Sequence, residues 1–218
     1  MDLYNNKITY RTNKLLRKLF IIPKLRKRLH NANFTILCNN CNGGIICHEL
    51  GQRFNSPTVN MFFYNDHFIR FCEDLDYYLA CELYPCANPN HKPTDIEYPI
   101  MNLGEGEKML ELHFLHYKTI EDVVATWKRR LARINRDNMF ILFTHFDPAI
   151  DEWVERFDKL PFKHKASLVN KPYPEYKSAI YISGYETEGL GNLNLYRNFV
   201  GRKRMDGWDF VGWLNKEF

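Results

Sequence analysis

No stretch of this chain approaches the roughly 20 consecutive apolar residues that a membrane-crossing helix needs, so none is expected within it. Internal repeats, low-complexity tracts and linker-like segments are also missing. With 45% apolar and 15% aromatic residues among 218, the composition is that of a folded chain able to bury a large core. Acidic residues are scarce in one region only. Residues 1 to 48 hold Asp2 alone against nine Lys or Arg, a net +8, whereas the remainder nets −4. Arg17 and Lys18 interrupt any secretory apolar core, so no signal peptide is expected. The six cysteines then read as free thiols of a reducing, cytoplasmic compartment.

The basic segment "TNKLLRKLFIIPKLRKRLH" places Leu16, Leu19 and Phe20 at helical spacing among Lys14, Arg17 and Lys18, ahead of the cluster Arg26, Lys27, Arg28. A basic amphipathic helix bent at Pro23 is expected, and two readings of it stand open. It lies on an anionic surface, with residues 11–29 as a peripheral membrane contact, or it packs on the domain with a solvated basic face. Nucleic acid ranks last, because no helix-turn-helix, zinc-finger or RNA-binding signature accompanies the charge. The chain therefore divides into a helical arm, residues 1–31, and one α/β domain, residues 32–218.

Runs that are apolar on both faces predict strands over 34–40, 58–64, 111–116, 139–146, 164–170 and 178–183, with "YPIMNL" as a further candidate. Helical periodicity covers 42–54, 66–80, 119–134 and 149–160. Thr119 with Asp122 forms a near capping box, and Asp147 followed by Pro148 reads as another helix start. The alternation predicts a three-layer α/β/α fold with a mostly parallel or mixed central sheet. The Pro-rich "YPCANPNHKPTDIEYP" reads as a surface loop.

In such folds ligands bind beyond the carboxyl ends of the strands, which directs attention to "CNNCNGG", residues 38–44. Cys38 and Cys41 have C-x-x-C spacing, and zinc would need a second ligand set such as Cys81, Cys86 and His91. A redox pair would need both thiols placed at the helix start, where only Cys41 falls. Cys41 as a nucleophile would take His48, His116 or His145 as its partner, against the reading of an inert buried thiol. Asn39, Asn40, Gly43 and Gly44 form a candidate anion cradle at a helix N-terminus, although neither a G-x-G-x-x-G nor a P-loop spacing is present. His113 alternates with Leu112 and Phe114, which would turn it to solvent, so His116 at the strand end is the better general base. No D-x-D metal motif is present, and no metal ligand set or cofactor is assigned.

The blocks "LCNNCNGGIICHELGQRFNSPTVNMF", "LHFLHYKTIEDVVATWKRRLARINRDNMFI", "FDKLPFKHKASLVNKPY" and "WDFVGWLN" together resemble a bacterial family catalogued as domain of unknown function 1919, from about Phe34 to Asn215. Cys38 stands where the family has Ser, and Asn42 where an aromatic is common, which makes the C-x-x-C pair incidental. Members are often labelled exopolysaccharide biosynthesis proteins. The resemblance implies a cytoplasmic α/β protein, peripheral to the inner membrane, that works in surface polysaccharide assembly on a nucleotide sugar or other phosphate-containing donor and a polysaccharide precursor. Positions carried over include Asn39, Asn40, Cys41, Gly43 and Gly44, then His116, then Trp127, Arg130 and Arg133, which fall at three-residue steps on a helix, and Asp137 and Asn138 in "RINRDN"; arginine suits a bidentate grip on phosphate, and a core Trp with surface ion pairs is the bland alternative. Two functions follow: a glycosyl-, phosphoryl- or acyltransferase with His116 and Cys41 in the chemistry, or a non-catalytic binder of the same ligands.

Overall fold

Asn6 starts the first helix by accepting from the N–H groups of Ile8 and Thr9, the usual way to satisfy orphan donors at a helix start. In the computed structural model, which describes residues 3–90, 97–145, 150–187 and 189–217, this helix is α1, Lys7–Leu16. A π-helical turn, Arg17–Ile21, follows, in which the Ile22 N–H reaches the Arg17 carbonyl. Helix α2, Ile22–Arg28, continues with Pro23 in its first turn. The expected irregularity at Pro23 thus takes the form of a widened turn, because proline has no N–H to return to the carbonyl four residues back.

Four parallel strands form the main sheet: β1, Thr35–Cys38; β5, Met139–Thr144; β6, Lys165–Val169; and β7, Ala179–Tyr181, in the order β1-β5-β6-β7. Alternate residues feed opposite faces, as a period of two requires. Leu37, Ile141 and Phe143 join one core, with α4 (Asn65–Glu73), α5 (Leu75–Ala80), α6 (Ile120–Leu131) and Phe157 of α7 (Asp151–Asp158). Ile36, Cys38, Phe140 and Leu142 join the other, against α3 (Asn42–Leu50) and α8 (Phe210–Leu214). Helices on both faces give the three layers that the apolar runs predict.

Three expected elements differ. The run 111–116 does not enter the central sheet; β4, Leu110–His113, pairs antiparallel with β3, Ile100–Leu103, and β3 with β2, Leu83–Pro85. The start of the Pro-rich stretch is therefore a strand, at a sheet edge where Pro85 is tolerated. Residues 58–64 form a turn with one bridge, Phe62 to His113. Their hydrogen bonds go elsewhere: Thr58 Oγ1 accepts from the Cys38 N–H, Phe63 N–H donates to Asn39, and Asn60 takes a positive φ of 67°, incompatible with a continuous strand. The helix expected over 66–80 breaks at Asp74, whose φ of −129° is not helical. Thr119 caps α6 through the Asp122 N–H, as its spacing predicts. Asp147 and Pro148 lie outside the described residues, as does His91. Among the described residues no helix is long and apolar enough to cross a membrane.

Arg17 fixes the first helices to the body. Its five N–H donors reach Glu49 twice, Asp206 twice and the Gly201 carbonyl, with Arg17 only 1% exposed. Gly201, at φ +79°, is needed there because a Cβ would sit 2.8 Å from the Arg17 nitrogen. Burial alone would raise the Glu49 carboxyl, but the hydrogen bonds and charge of Arg17, with Lys203, outweigh it and hold Glu49 below its ordinary value. Such stabilisation is present above the unfolded carboxyl value, roughly 4.3, and is lost as pH falls through the lowered folded one. Replacing Arg17 by Met leaves two carboxylates short of their main cation, so urea unfolding is expected to show a loss of about 3–5 kcal/mol. An unchanged midpoint would show that Arg17 is not the tie.

Candidate functional site

The carboxyl ends of β1 and β5 are joined by an amide clasp. Asn39 Nδ2 donates to the Thr144 carbonyl at 2.8 Å, and its Oδ1 accepts from the Thr144 N–H at 3.0 Å. Asn40 and Asn42 both donate to Thr144 Oγ1 and to the Gly191 carbonyl. Asn40 Oδ1 takes the Asn42 N–H, and Asn42 Oδ1 takes the Leu193 N–H. All three asparagines are buried, with their polar atoms turned inward onto protein partners. Gly43 and Gly44 serve packing: a Cβ would lie 2.9 Å from Cys38 Cβ and 2.8 Å from Val59 Cγ1. The block expected as an open phosphate cradle is a clasp that presses α3 onto the sheet.

The other expected residues separate. Cys41 caps α3 but is half-buried, its Sγ 4.0 Å from the Met61 carbonyl, and burial pushes its thiol up, the reverse of what an activated nucleophile needs. Cys38 is fully enclosed, and burial raises its thiol to about 12. His116 lies on an exposed turn after β4. Asp137 and Asn138 precede β5, at the amino ends of the strands, where Asn138 bonds Asn31 and Ala32. A four-residue strand, about 13 Å, lies between them and residues 39–44. Beyond the α6 C-cap, Ala132, the Asn135 N–H donates to Thr35 Oγ1. Trp127 is in the core. Arg130 is buried against Val59 and Tyr117.

Two buried histidines escaped the strand pattern. His113 is fully enclosed because β4 is buried on both faces. Its Nε2 lies 2.8 Å from Glu111, its Nδ1 3.1 Å from the Tyr98 hydroxyl, and its ring stacks on Phe62. His145, at the end of β5, has Nε2 3.3 Å from Ser167 Oγ and an Nδ1 with no partner among the described residues.

A cavity of about 820 Å³ lies between the first helices and α3. Lys14, Lys18 and Arg26 line one side and His48 and Lys203 the other, with Tyr10, Phe54 and Tyr196 as aromatic walls. Glu49, the sole carboxylate in the described lining, is already bonded to Arg17 and Lys203. Lys14 and Lys18 have no protein partner among the described residues, whereas Arg26 donates to the Glu49 carbonyl. The groove therefore has net positive charge beside flat apolar surfaces, a combination that suits a phosphorylated ligand with a ring to stack. Of the expected donor residues Gly44 alone reaches it. Lys14 and Lys18 were visible in sequence as charge; nothing local marks Tyr196 and Lys203, which arrive from far along the chain.

A parallel-sheet α/β protein with a cationic, aromatic groove under an N-terminal helix is the class that fold and site define. Residues 12–215 match the family described as "Domain of unknown function (DUF1919)", and the chain belongs to it. The match begins inside α1 and takes in Lys14, Arg17 and Lys18 of the groove but not Tyr10. The chain is also 36% identical over 210 residues to an "Uncharacterized protein" of Haemophilus influenzae, covering 96% of this chain and 97% of that one.

Burial lowers the His145 imidazole to about 4, whereas an unfolded histidine takes its proton near pH 6.5. Its contribution to stability is therefore complete above about pH 6.5 and declines as pH falls toward 4, because the unfolded chain binds the extra proton. Between pH 7 and 5 the chain is expected to lose about 2 kcal/mol that a His145→Gln variant does not lose. Parallel pH–stability curves for the two proteins would refute the assignment.

Proposed function

We propose that this protein acts in bacterial surface polysaccharide assembly (exopolysaccharide, capsule or lipopolysaccharide) and takes a phosphate-containing donor, of the nucleotide-sugar class, in the groove between the N-terminal helices and α3. The observation that carries the reading is the pair of uncommitted cations, Lys14 and Lys18, facing aromatic walls across that groove. In this reading Lys14, Lys18 and Arg26 hold the phosphates, and Tyr10, Tyr196 or Phe54 stack on the base or sugar. The family's resemblance to polysaccharide-assembly proteins supplies the biological setting. A glycosyl-, phosphoryl- or acyl-transfer step would use His48, the imidazole lining the groove, as general base. A non-catalytic donor-binding protein is the second reading, and the raised thiol of Cys41 and the outlying position of His116 favour it.

Thermal unfolding against nucleotide sugars, plain nucleotides and coenzyme A thioesters tests the groove. A ligand at 100 times its Kd adds about 2.7 kcal/mol, or about 5–10 °C in Tm for a chain of this size. The shift should appear with one donor class and vanish in a Lys14→Glu, Lys18→Glu variant. No shift with any donor removes the donor reading, and a shift without turnover on any acceptor selects the binder.

The same helices support a place at the inner face of the membrane. Ile8, Leu15, Leu19 and Phe20, with neighbouring Phe199 and Val200, are each more than half exposed, amid Lys7, Arg11, Lys18 and Lys24. Apolar side chains flanked by lysine and arginine suit an anionic bilayer surface. Sedimentation with vesicles containing anionic lipid should carry the protein down at low salt, less at high salt, and little of a Leu19→Asp, Phe20→Asp variant. Equal recovery with neutral and anionic vesicles would count against it.

A further inference from the structure

Arg17, Arg28, Arg70, Arg136 and Arg156 are each paired with carboxylates. Arg53, Arg129, Arg130 and Arg133 belong to no ion pair among the described residues. Of these Arg130 is 7% exposed, and its NH1 donates only to neutral oxygens, the Val59 carbonyl at 2.8 Å and the Tyr117 hydroxyl at 2.7 Å. Its guanidinium carbon lies 5.5 Å from the centre of the Phe54 ring, and Arg53 is the residue before Phe54. Arg129 lies in the last turn of α6, and Arg133, just beyond its C-cap, donates its backbone N–H to the Arg130 carbonyl at 3.0 Å. Arg129 donates to Thr126. Arg133 is held below the usual guanidinium range, by lost hydration first and then by the charges of Arg53, Arg129 and Arg130.

A buried guanidinium without a counter-anion, surrounded by like charges, is costly on its own and becomes favourable when an anion arrives. Arginine's planar fork matches the oxygens of a phosphoryl group better than it matches chloride. We infer that Arg53, Arg130 and Arg133 form an oxoanion site that takes a phosphoryl group, separate from the donor groove, with Phe54 serving both. Tyr117, whose hydroxyl donates to the Val59 carbonyl and accepts from Arg130, fixes the Arg130 guanidinium in position. Free orthophosphate and the phosphate of a sugar phosphomonoester present the same chemistry to these three side chains.

Binding is measured by calorimetry and thermal unfolding in the full-length Lys14→Glu, Lys18→Glu protein, which silences the groove, at low ionic strength. Orthophosphate and glucose 1-phosphate are compared with chloride at matched ionic strength. Both phosphates should raise Tm where chloride does not; equal affinities assign the site to free phosphate, and tighter binding of glucose 1-phosphate assigns it to a phosphorylated sugar. Adding Arg53→Ala and Arg133→Ala should weaken phosphate binding at least tenfold. The same two changes should raise the Tm of the anion-free protein, because they relieve repulsion at side chains that make no described hydrogen bond. Phosphate and chloride acting alike, or a double change that lowers the anion-free Tm or leaves phosphate affinity intact, would overturn the site.

Discussion

The Arg17 guanidinium, spread over Glu49 of α3 and Asp206 of the C-terminal segment, is the constraint on which the groove depends. α1 is polar overall and leaves Ile8 and Leu15 in solvent, so apolar burial along it is too slight to hold it. What holds it is a set of directional bonds: Arg17 itself, and Asn13, which bonds the Asn198 carbonyl and the Gly201 N–H. An isolated helix of this length is marginal in water. Pinned at two points, it becomes one wall of a cavity, with Lys14 and, in the turn that follows, Lys18 lining it opposite α3. Glu49 is central to this arrangement because it answers Arg17 and Lys203 together, which leaves the other groove cations without a carboxylate.

Legibility in the sequence followed the range of the forces involved. The strands of the parallel sheet were readable because strands covered on both faces are apolar throughout, and β1, β5 and β6 lie within the predicted runs. Helix starts were readable where the cap is local, as at Thr119. What a run of apolar residues does not encode is its partner, so 111–116 gave no sign that it belongs to a second sheet. The tip of that sheet, Leu83–Pro85, was hidden in a stretch whose prolines read as loop. The break at Asp74 was equally obscure, since both halves keep helical periodicity.

The site was less legible for the same reason. "NNCNGG" has the composition of an open anion-binding loop, and its composition is satisfied just as well by buried partners. Those partners, Thr144 and Gly191, lie about 100 and 150 residues away, so only the fold decides between the two uses. Arg130 was singled out by the family resemblance, yet its lack of a carboxylate partner among the described residues is a fact of tertiary structure. Lys14 and Lys18 stood out as charge, while the wall they face did not.

Cys41 shows how competing effects settle a residue's chemistry. Its position at the start of α3 gives it the field of the helix end, which favours a thiolate by a fraction of a kcal/mol to about one at an exposed site. Burial disfavours the same thiolate, and here it prevails, because the thiol faces the Met61 carbonyl and no described cation bonds it. Arg130 meets the same burial and cannot give up its charge at neutral pH, so the cost stays in the folded protein until an anion relieves it. A buried thiol resolves the conflict by staying protonated and inert; a buried guanidinium resolves it by binding. That difference is why the proposed ligand sites rest on Arg130 and on the lysine-lined groove, whereas the asparagines and glycines of the cysteine block bond and pack within the protein, joining the sheet to α3.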